Sequence, residues 1–99
     1  MDENIQVKEI KDLIDDYNKC DFYLNNLKNG NIHYLNEAIA FANKKYKEFC
    51  FKDTEVALKN TNFIPTNLDE LSQTKQNLIA INKMIDEVLL KKINEENKQ

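Results

Sequence analysis

Chemistry in a protein needs particular side chains at particular spacings, and this chain carries few of them. His33 is its only histidine, so any imidazole acid-base or metal role must run through that one residue. Lying just after an expected helix start, it reads as an exposed or capping side chain, with Asp2, Glu3 or Glu37 as its expected neighbours. Ser72 is the only serine and falls on the expected solvent side of a helix's first turn, which leaves no Ser-His-Asp or Cys-His arrangement to assemble. Glu37, Glu48, Asp53, Glu55 and Glu70 are the raw material of a metal site in a helical bundle, but the Glu-x-x-His pattern of di-iron bundles is absent. A single glycine, Gly30, rules out a glycine-rich phosphate loop. Cys20 and Cys50 lack CxxC spacing, and zinc would need two more ligands where only His33 is on offer. Both cysteines read as small buried apolar side chains in a reducing compartment, the alternative being a disulfide or redox switch. The expectation is a protein that is not an enzyme and takes no metal or cofactor.

Charge narrows the partners. The net charge is -3 and the pI about 5.1, which opposes attraction to nucleic acid or anionic lipid. All 14 basic residues are lysines, so no guanidinium fork exists for bidentate contact with guanine or phosphate. An acidic imitation of DNA built on Asp15, Asp16 and Asp21 is weakly supported by 17 acids against 14 bases. The amino terminus, Met1-Asp2-Glu3-Asn4, lacks the basic and apolar regions of a secretory signal, and no apolar run approaches the roughly 18–20 residues of a membrane span. A cytoplasmic protein without membrane insertion is expected.

The elements that would position any site are helical. With one glycine and one proline among 99 residues, there are too few turn-makers for a β-sandwich or barrel, and the length fits a single domain over 1–99. Asn29-Gly30-Asn31 is the first break, with Gly30 closing one helix and Asn31 capping the next. The second is Asn60 to Thr66, where Pro65 blocks continuation, Thr66 and Asp69 resemble a capping box, and Phe63-Ile64 act as a hydrophobic staple. Segments of roughly 4–28, 32–59 and 67–95 follow, each about 36–44 Å long at 1.5 Å per residue. They predict an all-α, small antiparallel up-down bundle of three long helices, or four if the chain breaks near Asp53, where Asp53-Thr54 makes a good N-cap pair.

Apolar periodicity gives each segment a core face. In the first it runs Ile10, Leu13, Ile14, Tyr17, Cys20, Leu24 and Leu27; in the second Ile32, Leu35, Ile39, Ala42, Tyr46 and Phe49, continuing to Val56. The third runs Leu68, Leu71, Leu78, Ile81, Ile85, Val88 and Leu89, with Lys75 and Asn82 as interruptions and a fraying tail from Asn94.

Aromatic placement is what points to function. Tyr34, Ala38 and Phe41 form a second face of the middle helix, about 100° from its main stripe, which either touches both neighbouring helices or receives a partner. Phe22, beside Tyr23, lies among Asp15, Asn18, Lys19, Asn25 and Asn26 on the predicted polar face, where a large aromatic has no packing role. Phe22, Tyr23, Tyr34 and Phe41 are therefore the candidate partner-binding residues. They predict a non-enzymatic protein-protein interaction module, of inhibitor, immunity or adaptor type, that binds another protein or a second copy of itself. The alternative is a small-ligand-binding or sequestering bundle with an inter-helix pocket lined by Tyr17, Tyr46 and Phe49.

In length, helical makeup and acid-lysine-asparagine surface, the whole chain loosely resembles the small bacteriocin immunity proteins. That resemblance implies an antiparallel helical bundle that protects a producing cell by binding a membrane-receptor complex. It is similar, as loosely, to small phage- or plasmid-encoded helical inhibitors of host enzymes. Neither resemblance assigns a role to an individual residue.

Overall fold

A computed structural model describes the backbone of residues 2–59 and 69–97 and the side chains of 8–59 and 69–95. It is all-α. Helix α1 spans Asp2–Lys28, a 3-10 turn Ile32–Tyr34 leads into α2 at Leu35–Lys52, a short α3 covers Thr54–Lys59, and α4 runs Glu70–Asn97. The shape is elongated, 46 × 24 × 17 Å, as a 27-residue helix of about 40 Å requires.

The connections follow the chemistry of their residues. Gly30 has φ +88°, which only glycine adopts freely. It lets the Gly30 N–H reach Leu27 O and the Asn31 N–H reach Asn26 O, at 3.2 and 2.9 Å, the Schellman closure of a helix. Asn31 does not cap the next helix as expected. No side-chain cap bond forms there, because its Nδ2 donates back to Asn26 Oδ1 at 2.9 Å. At the other joint Asp53 serves both neighbours: its N–H donates to Phe49 O at 2.7 Å and its Oδ1 accepts the Val56 N–H at 3.4 Å. That double role makes the break, and four α-helices result among the described residues. Asp69 is the N-cap of α4, its Oδ1 accepting the Ser72 N–H at 2.7 Å, so this helix begins three residues later than predicted. Thr66, the Phe63-Ile64 staple and Leu68 lie outside the described residues. At the far end α4 stays helical to Asn97, through the tail expected to fray.

Direction is fixed by contacts between helices. Glu9 meets Lys92 and Cys20 meets Leu78, so α1 and α4 run antiparallel. Asp16 meets Lys45 and Tyr23 meets Glu37, so α1 and α2 do too. Helices α2 and α4 therefore point the same way. An up-down bundle of three helices would set the last parallel to α1, whereas with the break at Asp53 α4 is the fourth helix and its antiparallel course to α1 is the one an up-down bundle of four requires.

The described helices share one core. Cys20, Leu24, Leu27, Ala42, Phe49, Val56, Leu78, Ile81, Ile85 and Val88 are buried as the stripes predict, and Tyr23, Ala38, Phe41, Ala57, Ala80 and Met84 join them. Ile14 and Ile32 are exposed instead. Ile32 belongs to the 3-10 turn, which advances about 120° per residue against 100° for an α-helix, so it leaves the line of the α2 stripe that Ala42 and Phe49 follow into the core. Ile14 sits about 100° from Leu13, and Leu13 takes the inward place. Thr74 is the buried polar residue of α4, satisfied by donating from Oγ1 to Glu70 O at 2.7 Å.

Candidate functional site

The four aromatic candidates, chosen from two segments, converge at the turn end of the α1–α2 pair. The Phe22 ring meets Tyr34 edge-on at 5.2 Å between centroids and Tyr23 at 5.8 Å. Tyr23 meets Phe41 at 5.5 Å. Such edge and tilted pairings suit the ring quadrupole. Helix α1 supplies Phe22 and Tyr23 and the short turn after Gly30 folds Tyr34 and Phe41 back against them, so the Schellman closure is what assembles the cluster. Phe22 does have packing partners, contrary to its reading as stranded among charges. Tyr34 closes over it from the next element, a neighbour that periodicity along α1 alone does not show.

The cluster has an inside and an outside. Tyr23 and Phe41 are buried core, Tyr34 is half-buried, and Phe22 remains 49% exposed at the rim. The Tyr23 hydroxyl points outward and donates to Glu37 Oε2 over a long 3.5 Å. Burial, with the Glu37 charge beside it, pushes the Tyr23 phenol above its ordinary value. Lys19 Nζ stands 5.7 Å from the Phe41 ring centroid, within cation-π reach. His33 is exposed and lies against Tyr34, ring to ring, at 4.5 Å. Glu37 is at this end, whereas Asp2 and Glu3 open α1 at its far end.

Ser72 and Cys20 are engaged in capping and packing. Ser72 Oγ donates to Asp69 Oδ2 at 3.1 Å. The two cysteines are free. Cys20 is buried and its thiol donates to Leu78 O at 3.1 Å. Burial pushes that thiol up to about 12, the charges of Asp21 and Asp16 adding to the effect and the Asn82 backbone opposing it, so it is not a nucleophile near neutrality. Cys50 is exposed, against the expectation that both are buried. It lies one residue past Phe49 on α2, about 100° round from the core face. Among the described residues no group of three His, Cys, Asp or Glu side chains converges as metal ligands do, and no described helix is long and apolar enough to cross a membrane.

A concavity lies toward the other end, lined by residues of α1, α2 and α4. It is a cleft of about 600 Å³ floored by Leu13, Phe49 and Val88. Phe49 belongs to the pocket expected from sequence, but Tyr17 and Tyr46 do not line this one. Five acids and three lysines surround it. Lys45 bridges Asp16 and Glu48 at 2.7 and 2.9 Å; burial alone would lower its pKa, but these hydrogen bonds outweigh that and hold it above its ordinary value. Glu9, bonded to Lys92 at 2.6 Å, is held below the usual carboxylate range by that lysine.

Set beside protein-family models, curated proteins and solved structures, the chain matches none.

Proposed function

We propose that this chain is a non-enzymatic protein-binding module that engages a partner protein through the rim of its aromatic cluster. The observation that carries the reading is Phe22, half exposed yet already fixed by Tyr23 and Tyr34. A ring held in place loses little rotamer freedom on binding, so more of its burial appears as affinity. Ile32, 61% exposed and two residues from Tyr34, extends the apolar rim. An inhibitor or immunity role, as the loose sequence resemblance implies, is one form such binding takes. The absence of catalysis in this reading is supported by where the reactive groups are spent: His33 on Tyr34, Ser72 on Asp69 and Cys20 on Leu78.

The test is Phe22→Ala in affinity capture from the native cell, with mass spectrometry of what is retained. A partner held by the native chain should be lost from the variant, at a cost of about 2 kcal/mol or more for a true hot spot, while the thermal melt stays close to the parent's. Undiminished capture by a folded Phe22→Ala chain rules the rim out. The cleft supports a second reading, a binder of small cationic ligands, because acids outnumber lysines around an apolar floor. Calorimetric titration with a polyamine separates the two, since only the cleft reading expects heat.

A further inference from the structure

Helix α4 carries two apolar faces, and only one is used by the core. Leu78, Ile81, Met84, Ile85 and Val88 are buried. On the opposite side Ile79, Leu90 and Ile93 are 49%, 60% and 43% exposed. With Lys83 and Asp86, both also exposed, they form the series 79, 83, 86, 90, 93. Its alternating steps of four and three are those of a coiled-coil seam, here about 21 Å long at 1.5 Å per residue.

We propose that this outer face is a self-complementary seam on which a second copy of the chain docks antiparallel. The charges choose both the occupant and the direction. When two such stripes are laid antiparallel about a two-fold axis passing between Lys83 and Asp86, Lys83 of each copy faces Asp86 of the other. In the same register Ile79 faces Leu90 of the second copy, and Gln76, also exposed, faces Ile93. A parallel pairing would instead set Lys83 against Lys83 and Asp86 against Asp86, like charge on like charge. A polar layer inside an otherwise apolar seam fixes register at some cost in affinity. The contact is isologous, as a two-fold dimer requires. One short helix on another is a small interface, so association is expected to be weak and concentration-dependent. The seam lies on α4, whereas the aromatic rim lies on α1, the turn and α2, so this proposal stands independently of the partner-binding reading.

Sedimentation equilibrium of the full chain over roughly 1 μM to 1 mM, the range of a weak interface, tests it. The native chain should dimerise. Lys83→Asp and Asp86→Lys should each weaken the dimer at least about tenfold by facing like charges across the seam, although they move the net charge in opposite directions. Equal mixing of these two variants should restore association as a heterodimer, and the doubly exchanged chain, Lys83→Asp with Asp86→Lys, should dimerise like the native one. Lys11→Asp, on an exposed position of α1, should change nothing. All these positions are exposed, so each variant should keep the native fold, which circular dichroism checks. A native chain that stays monomeric throughout the range overturns the seam. So does a dimer that neither single reversal weakens, and failure of the mixture to associate overturns the antiparallel register.

Discussion

At the turn end of the α1–α2 pair, Tyr23 and Phe41 meet ring to ring at 5.5 Å; toward the other end, Lys45 spans Asp16 and Glu48 at 2.7 and 2.9 Å. The same two helices are thus clamped by apolar area in one place and by charge in the other. The apolar clamp closes because the tight Schellman turn at Gly30 folds α2 back against α1 at this end. The ionic clamp sits on the wall of an open cleft. Burial of aromatic area stabilises by several kcal/mol, whereas partly exposed ion pairs contribute about 1 kcal/mol or less. The turn end is accordingly expected to be the stable half of the pair.

The largest expected effect probes that inequality directly. Phe41→Ala should cost about 3–5 kcal/mol, the usual range for truncating a buried aromatic, while Lys45→Met should cost about 1 kcal/mol, because Asp16 and Glu48 are exposed enough to rehydrate. Urea denaturation of the two variants measures both. Equal losses would mean that the ionic half is as strong a clamp as the aromatic one.

How much of this contrast was legible in the sequence depends on the kind of signal involved. Helix ends announced themselves through single residues: Gly30 by its left-handed conformation, Asp53 by capping. The apolar faces of α1 and α4 are readable because the 3.6-residue period recurs along them over several turns, despite Lys75 and Asn82 on α4 and the outward turn of Ile14 on α1. On α2 both expected faces are used, Ala42 and Phe49 on one and Ala38 and Phe41 on the other, and only Ile32, in the 3-10 turn before the helix, falls off the stripe. Convergence of Phe22 with Tyr34 was not legible, since it depends on how the turn folds two helices together and not on spacing within either. The outer stripe of α4 was in plain view as Ile79, Leu90 and Ile93, but reading for the core alone assigns each helix a single apolar face. Likewise the direction of α4 is set by long-range contacts such as Glu9 with Lys92, which no local pattern encodes.

A second effect, of the order of 2–4 kcal/mol, is expected in alkali. Cys20 and Tyr23 are both raised in the folded chain, so each favours folding while it stays protonated. For Cys20 that stabilisation is whole below the thiol's ordinary 9 and fades as pH climbs toward about 12. Stability followed across this window should fall, and Cys20→Ala, though less stable at neutral pH through its lost volume, should show a flatter decline. The same burial predicts that a thiol reagent modifies Cys50 quickly and Cys20 slowly in the native state, with equal rates in denaturant. Acid acts on the other half: Glu9 is lowered by Lys92, so its contribution is present above the usual carboxylate value and lost as pH falls through the lowered one. An identical slope for Cys20→Ala and the parent would remove the thiol from the account.

The smallest effect is local and separates the two halves within one molecule. Raising salt from about 0.1 M to 1 M shortens the screening length from roughly 10 to 3 Å, which weakens pairs open to water and leaves apolar contacts intact or slightly strengthened. The pairs concerned are graded. Lys91 with Asp53 and Glu55 is the most open, Lys92 with Glu9 is intermediate, and Lys45 is the most enclosed at 14% side-chain exposure. Amide hydrogen exchange should therefore accelerate first around Asp53 and the start of α3, next where α1 meets the end of α4, and least beside Lys45. Because these pairs are worth about 1 kcal/mol at most, the acceleration should stay near fivefold or below. Amides from Tyr23 to Leu27 and from Ala38 to Phe41 should not accelerate. If salt loosens both halves equally, opening is a single cooperative event and the two clamps do not act separately; if it loosens the turn end first, the aromatic cluster is the weaker half and the comparison is inverted.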